Sequence, residues 1–179
     1  MEKVLNNTWV VLASGQSLNQ DQIEFVRNAR KYGKIKGFIA VSNVGIDLAP
    51  DADALVSHDA KWWVANPKAK LFSGRKFSRM IVGGIETFMP FIRSGCNSGL
   101  MAMDVAKTIF KADRIIILGF DMHGTHYFGP HSKGLKNTTD KRFLEHIKQF
   151  EKWEGCEVIN CTPNSSLRHF PMKKLEEVI

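Results

Sequence analysis

The sequence predicts an α/β protein with a mostly parallel sheet covered by helices on both faces, and three observations carry that prediction. Short apolar runs recur along the chain, each bounded by turn-forming residues. Segments with helical spacing stand between several of these runs, and glycine and proline fall between the elements. With 179 residues and a mass of 20.2 kDa, the chain suits one packed domain. Residues 1–179 are therefore read as a single Rossmann-like domain.

The first run, Thr8 to Ala13, lies between Asn6-Asn7 and Ser14-Gly15 and reads as a buried strand. From Gln20 to Lys31, Ile23, Phe25, Val26 and Ala29 recur at helical spacing, with Asn19 as cap and Gly33 as stop. Further strands are expected at Gly37 to Val41, Ala54 to Ser57, Ala69 to Phe72, Met80 to Val82, Arg114 to Leu118 and Val158 to Asn160. The clearest helix lies between Cys96 and Lys111, where Leu100, Met103, Val105, Ala106, Ile109 and Phe110 are spaced for burial. A second long helix is expected from Thr138 to about Trp153, with Phe143, Ile147 and Phe150 on one face and Gly155 beyond its end. The sequence contains no internal repeat, low-complexity stretch or linker.

Charge and cysteine content narrow the function classes. The 25 Lys and Arg outnumber the 18 Asp and Glu, for a net charge of +7, and the excess is spread over both halves rather than gathered in a tail. That pattern attracts phosphates weakly and does not make the concentrated stripe of a dedicated nucleic-acid reader. Cys96, Cys156 and Cys161 fit neither a CxxC pair nor a disulfide framework, which points to a reducing, cytoplasmic compartment. No apolar run approaches the roughly 20 residues of a membrane span, and the N-terminus lacks a signal peptide's apolar stretch.

In open parallel sheets, ligands bind beyond the carboxyl ends of the strands, so the residues after each strand are the candidates. After the first strand stands Ser14-Gly15-Gln16-Ser17, where Gly15 lets backbone approach a phosphate and hydroxyls and helix-start amides donate to it. An ordinary strand-to-helix turn is the alternative reading. The turn lacks both GxGxxG and a Walker lysine, which disfavours nicotinamide binding and P-loop hydrolysis. A second such turn, Ser94-Gly95-Cys96-Asn97-Ser98-Gly99, opens the best helix. It is not a nucleophile elbow, so neither Cys96 nor Ser98 is a nucleophile candidate. Its glycines serve either a phosphate or close helix packing.

The densest polar constellation is Asp121, His123, His126 and His131, within GFDMHGTHYFGPHSKG. Imidazoles with a carboxylate suit a divalent metal, a general base, a phosphate contact or structural hydrogen bonding. The spacing matches no standard zinc signature, and no metal site is assigned. His58 and Asp59 belong to the same cleft in this reading, while His146 and His169 are read as surface or capping residues. Trp62-Trp63 reads as a buried pair in a helix facing the sheet, and the basic groups around Arg27 to Lys36 and Lys68 to Arg79 as solvated faces.

Together these motifs resemble a family. ASGQSL resembles the NGPSL-type turn of bacterial sialyltransferases that use CMP-activated sialic acid, and of the related domain of 6-hydroxymethylpterin pyrophosphokinase-like proteins. RSGCNSGLMAMDVAKTIFKADRIIILGFD resembles their second signature, in which Ser-Gly opens a helix leading into a strand that ends Gly-x-Asp. HYFGPHSKG and CTPNSSL resemble the sialyltransferases' histidine segment and CPNS-type turn. The chain also resembles small proteins of tailed phages in which DMHG, HYFGPH and NCTP segments recur, which implies the host cytoplasm as its location.

The resemblance implies that Ser14, Gly15 and Ser17 bound the nucleotide phosphate site and that Asn43 touches the nucleotide or donor. It implies that Ser94 and Gly95 hold the nucleotide from the far side, that Asn164 and Ser165 line the base or ribose, and that His131 is the general base. Two departures stand out. Ser14 occupies the position of the family's Asn, and only nine residues separate Asp121 from His131 where the sialyltransferases insert a lid. A homo-oligomer whose partner subunit supplies that cover is one expectation.

The reading expected from the sequence is a transferase with a nucleotide-activated donor, CMP-sugar-like, as its substrate. Its catalytic candidates are His131, His126 and Asp121, and Ser14, Gly15, Gln16, Ser17, Asn43, Asp59, Ser94, Gly95, Asn164 and Ser165 are its nucleotide-binding candidates. No cofactor is required. The alternatives are a non-catalytic nucleotide-binding protein and an ATP-dependent diphosphotransferase, the last of which alone calls for Mg²⁺. Partners are a small-molecule nucleotide, with no specific nucleic acid and no membrane span.

Overall fold

Apolar runs without alternation belong in the middle of a sheet covered on both faces, and the first of them sits there. The structure, a computed structural model, describes residues 7–91, 96–131 and 134–179. Its seven strands are β1 (Thr8–Leu12), β2 (Gly37–Val41), β3 (Ala54–Val56), β4 (Arg75–Ser78), β5 (Glu86–Thr87), β6 (Arg114–Leu118) and β7 (Glu157–Asn160). They form one parallel sheet in the order β5-β4-β3-β2-β1-β6-β7. This is the α/β, Rossmann-like arrangement expected from the sequence.

The chain winds outward from β1 to β5 and then returns to the other side of β1 as β6. The connections leaving β1 and β6 therefore diverge, and a crevice opens between the carboxyl ends of these two strands.

Residues alternate across the sheet and bury both of its faces. Val11, Ile39, Val56, Ile115 and Ile117 face α4 (Ser98–Thr108) and the end of α5 (Asp140–Phe150), whereas Val10, Leu12, Phe38, Leu55 and Ile116 face α1 (Gln20–Lys31), α2 (Asn43–Asp47) and α3 (Ala60–Ala65). Helix α1 starts at a capping box, in which Asn19 accepts from Gln22 N and the Gln22 side chain accepts from Asn19 N. Each large, fully buried side chain on these faces, Phe38 and Trp63 among them, contributes about 1.5–3 kcal/mol of transfer free energy. Helix α4 is buried all round from Gly99 to Val105, which explains why its sequence is apolar beyond one stripe.

Two expected strands are corrected. Ala69 to Phe72 is not a strand, because Pro67–Leu71 forms a 3-10 turn with Pro67 at its start and Ala69 buried on the α1 face. Met80 to Val82 is not one either, and Met80 and Ile81 are 53% and 91% exposed. The fourth strand is Arg75–Ser78, inside the basic stretch read as a solvated face, with Phe77 and Ser78 buried and Arg75 paired to Glu86 of β5 at 2.6 Å. β4 lies next to the edge and carries Arg75 and Lys76, and the edge strand β5 is two residues long, so neither presents a continuous apolar run. The long helices are also shorter than expected, starting after the Asn97 and Thr139 caps. Among the described residues, no helix is long and apolar enough to cross a membrane.

Candidate functional site

At the crevice, β1 and β6 run on into two interlocked turns. Ala13 N donates to Leu118 O at 2.8 Å and Gly15 N to Gly119 O at 2.9 Å. Gly119 has a φ of +73° and its missing side chain leaves room for the Ala13 carbonyl. Gly15 is required for a different reason, since a β-carbon there would overlap the Asp121 carboxylate.

That carboxylate takes up the donors expected to face a phosphate. Ser17 N donates to Asp121 Oδ1 at 3.1 Å and Ser17 Oγ to Oδ2 at 2.9 Å. Burial raises the Asp121 pKa, against the two Ser17 hydrogen bonds, which favour the charged form. Asp121 is thus the clasp between the β1 and β6 turns.

A cavity of about 660 Å³ opens beside the clasp, a size that suits a small ligand. Its floor combines Ser14 and Gly15 of the β1 turn, Ser42 after β2, Ser57 to Asp59 after β3, and Gly119 to Asp121 after β6. Ser42 holds a φ of +50° while its hydroxyl donates to Ser57 Oγ at 3.1 Å. A non-glycine residue in that conformation costs about 1–3 kcal/mol, and such strain gathers at functional sites.

One wall is the start of α4. Asn97 caps it by accepting from Leu100 N at 2.9 Å, and His58 N donates to Ser98 Oγ at 3.0 Å, joining the end of β3 to this helix. The first-turn amides of α4 have no intrahelical acceptor. Asn97 Nδ2 is buried without a hydrogen-bond partner among the described residues. Gly99 packs against the Phe120 ring, so of its two expected uses the close-packing one is occupied. Ser94 and Gly95 lie outside the described residues. Burial pushes the Cys96 thiol up to about 12, which leaves it protonated and inert as a nucleophile.

The histidine loop forms the rim. His126 Nδ1 is 3.0 Å from Ser14 Oγ, and Tyr127 N donates to Ser14 O at 3.0 Å, so the loop is stitched to the β1 turn. Phe128 stacks on His126 at 4.8 Å, and the His131 ring lies 4.5 Å from that of His126. Burial lowers the proton affinity of His126 and His131, and His131 lowers that of His126 further. Both are neutral near pH 7 as a result. The His131 ring makes no hydrogen bond among the described residues, whereas His131 N donates to Asn137 Oδ1 at 2.7 Å. His123 also lines the cavity, and its Nε2 donates to the Asn164 carbonyl at 3.0 Å.

Of the residues singled out in the sequence, Ser14, Gly15, Asp59, Asp121, His123, His126 and His131 meet at this cavity, as does His58. Asn43, Gln16, Ser17, Asn164 and Ser165 do not reach its wall. Asn43 Oδ1 accepts from Trp62 Nε1 at 2.9 Å, Gln16 Oε1 accepts from Thr125 N at 3.4 Å, and Ser165 is fully buried, donating to Phe120 O at 2.6 Å.

His146 is corrected, because it is half-buried on the cavity wall rather than on the surface. Burial, helped by Arg142, pushes its pKa down to about 4. Ser42, which follows a strand, and Asn97, within the second glycine-rich turn, also line the cavity, whereas Lys136 and Arg142 do so without having been singled out. The spacing of Arg142 and His146, four apart on one helix face, is the signal that was available. The Trp62-Trp63 pair is buried as expected, with rings edge-on at 5.1 Å. No protein-family model, curated protein or solved structure matches the chain.

Proposed function

We propose that this protein is a transferase that binds a nucleotide-activated donor in the cavity between β1 and β6 and passes the transferred group to an acceptor hydroxyl. One observation carries the reading. The β1 turn, the start of α4 and the His126–His131 pair converge on a single cavity at the point where the strand order reverses.

The roles follow from what each group has left to give. The Ser98 and Gly99 amides of the first turn of α4, with the unpartnered Asn97 side-chain amide, stabilise charge developing on the leaving phosphate. Ser14 Oγ orients His126. His131, neutral and with its ring uncommitted among the described residues, takes the proton from the acceptor hydroxyl. Asp121 holds the two turns in register through Ser17 and acts as a positioning residue.

A thermal-shift panel of nucleoside mono-, di- and triphosphates and nucleotide sugars, with and without Mg²⁺, tests the reading. A ligand that prefers the native state raises the melting temperature. The donor reading expects stabilisation by one nucleotide series without Mg²⁺. Strict Mg²⁺ dependence with a triphosphate preference turns the assignment to diphosphate transfer, and tight binding with the ligand unchanged on mass spectrometry turns it to a non-catalytic binding protein.

A further inference from the structure

The cavity has a second wall that the proposed donor site does not use. Residues 134–139 and the first half of α5 close over it and bring Lys136, Arg142, Phe143 and His146 to the space below. Helix α5 is secured at its far end, where Phe150 is fully buried and Trp153 Nε1 donates to the buried Asp104 at 2.6 Å. Its first turns are held less firmly, with Leu144 62% exposed on the outer side and the cavity rather than the sheet beneath Arg142 and His146.

Charge sets this wall apart. Lys61, Lys136 and Arg142 all line the cavity, and neither lysine makes a salt bridge among the described residues. Arg142 meets Glu145 only at 3.6 Å, between exposed side chains, a pairing of little strength in water. Of the two carboxylates that line the cavity, Asp121 is engaged by Ser17, and Asp59 accepts from Lys61 N at 2.9 Å through Oδ1 alone. Three cations therefore share the space with two carboxylates, neither of which forms a salt bridge with them among the described residues. Arg142 lowers the proton affinity of both His58 and His146.

We propose that Arg142, Lys136 and His146 form a second subsite, which binds the carboxylate or phosphate group of an anionic acceptor. The inference rests on the donor reading for the word acceptor, but the oxyanion subsite itself does not depend on it. Arg142 supplies a planar fork for a two-oxygen group, Lys136 a mobile positive charge, and His146 a neutral imidazole N–H. Such an acceptor enters beside His131, on the same cavity, with its anion held away from the donor phosphate.

Calorimetric titration with inorganic phosphate and, separately, glucuronate, with and without saturating CMP, tests the subsite and distinguishes phosphate from carboxylate. At least one probe is expected to bind alongside CMP. Arg142→Gln is expected to weaken that probe by about tenfold or more, the loss of one charge-assisted hydrogen bond, and to leave CMP affinity within about twofold. The proposal is overturned if neither probe binds, if the substitution leaves both probes unaffected, or if the probes compete with CMP and the substitution weakens CMP equally. Should CMP, UMP and ADP all fail to bind while Arg142→Gln still abolishes phosphate binding, the subsite stands and the donor reading falls.

Discussion

The side chain that Gly15 lacks would occupy the place of the Asp121 carboxylate and would stand 2.5 Å from the Gly119 carbonyl oxygen. The turns after β1 and β6 are thus one unit, built around a carboxylate clasp. Gly15→Ala has to part that clasp, and overpacking of this kind costs about 1–3 kcal/mol. Urea denaturation of the variant is expected to show a loss in that range. An unchanged midpoint would mean that the two turns are not coupled.

Ser17 gives Asp121 two of its hydrogen bonds, one from the amide and one from the hydroxyl. Ser17→Ala removes the hydroxyl and leaves a buried carboxylate short of a donor. The expected loss of stability is about 1–3 kcal/mol. Carbon-detected titration of Asp121 is expected to show its pKa rising above the wild-type value, since the hydroxyl bond favours the charged form.

His131→Ala separates catalysis from binding. With the ring making no hydrogen bond among the described residues, its removal should leave nucleotide affinity within about twofold while turnover falls by about a hundredfold or more, as loss of a general base does. Turnover and affinity falling together would make His131 a binding residue.

The cavity histidines predict an acid-sensitive fold. His58, His126, His131 and His146 all hold protons less readily than usual, with burial as the leading cause. A histidine whose folded pKa lies below its unfolded value contributes nothing adverse above the unfolded pKa. Below it, the unfolded chain binds the proton first and stability falls. The melting temperature should therefore decline as pH drops from about 6.5, and His146 should keep contributing down to about 4. Arg142 and His58 oppose its protonation and Glu145 favours it. His146→Gln is expected to make the decline shallower, and an equally steep decline would remove His146 from the cause.

The central strands were legible because each is an unbroken apolar run between turn residues, as in Gly37–Val41 and Arg114–Leu118. The edge was not, since β4 carries Arg75 and Lys76 and β5 is two residues long. Much of the site was legible by position alone, because residues following strands in a parallel sheet gather at one rim. What escaped is what depends on side-chain direction. The sequence offers Ser42 and Asn43 equally, yet only the first faces the cavity, and the second is engaged by Trp62. Arg142 and His146 escaped because α5 follows a loop rather than a strand end. Its register over the cavity is set by Phe150 and Trp153, which are distant in sequence from everything they cover.

The most direct measurement is an amide NMR titration of the protein with CMP, UMP, ADP and their nucleotide sugars. The account predicts that one series shifts the amides of Ser14, Gly15, Ser98, Gly99, Gly119 and His126 together, in a saturable manner and at a stoichiometry of one. Shifts confined to other surfaces, or spectra unchanged at millimolar nucleotide, would contradict it.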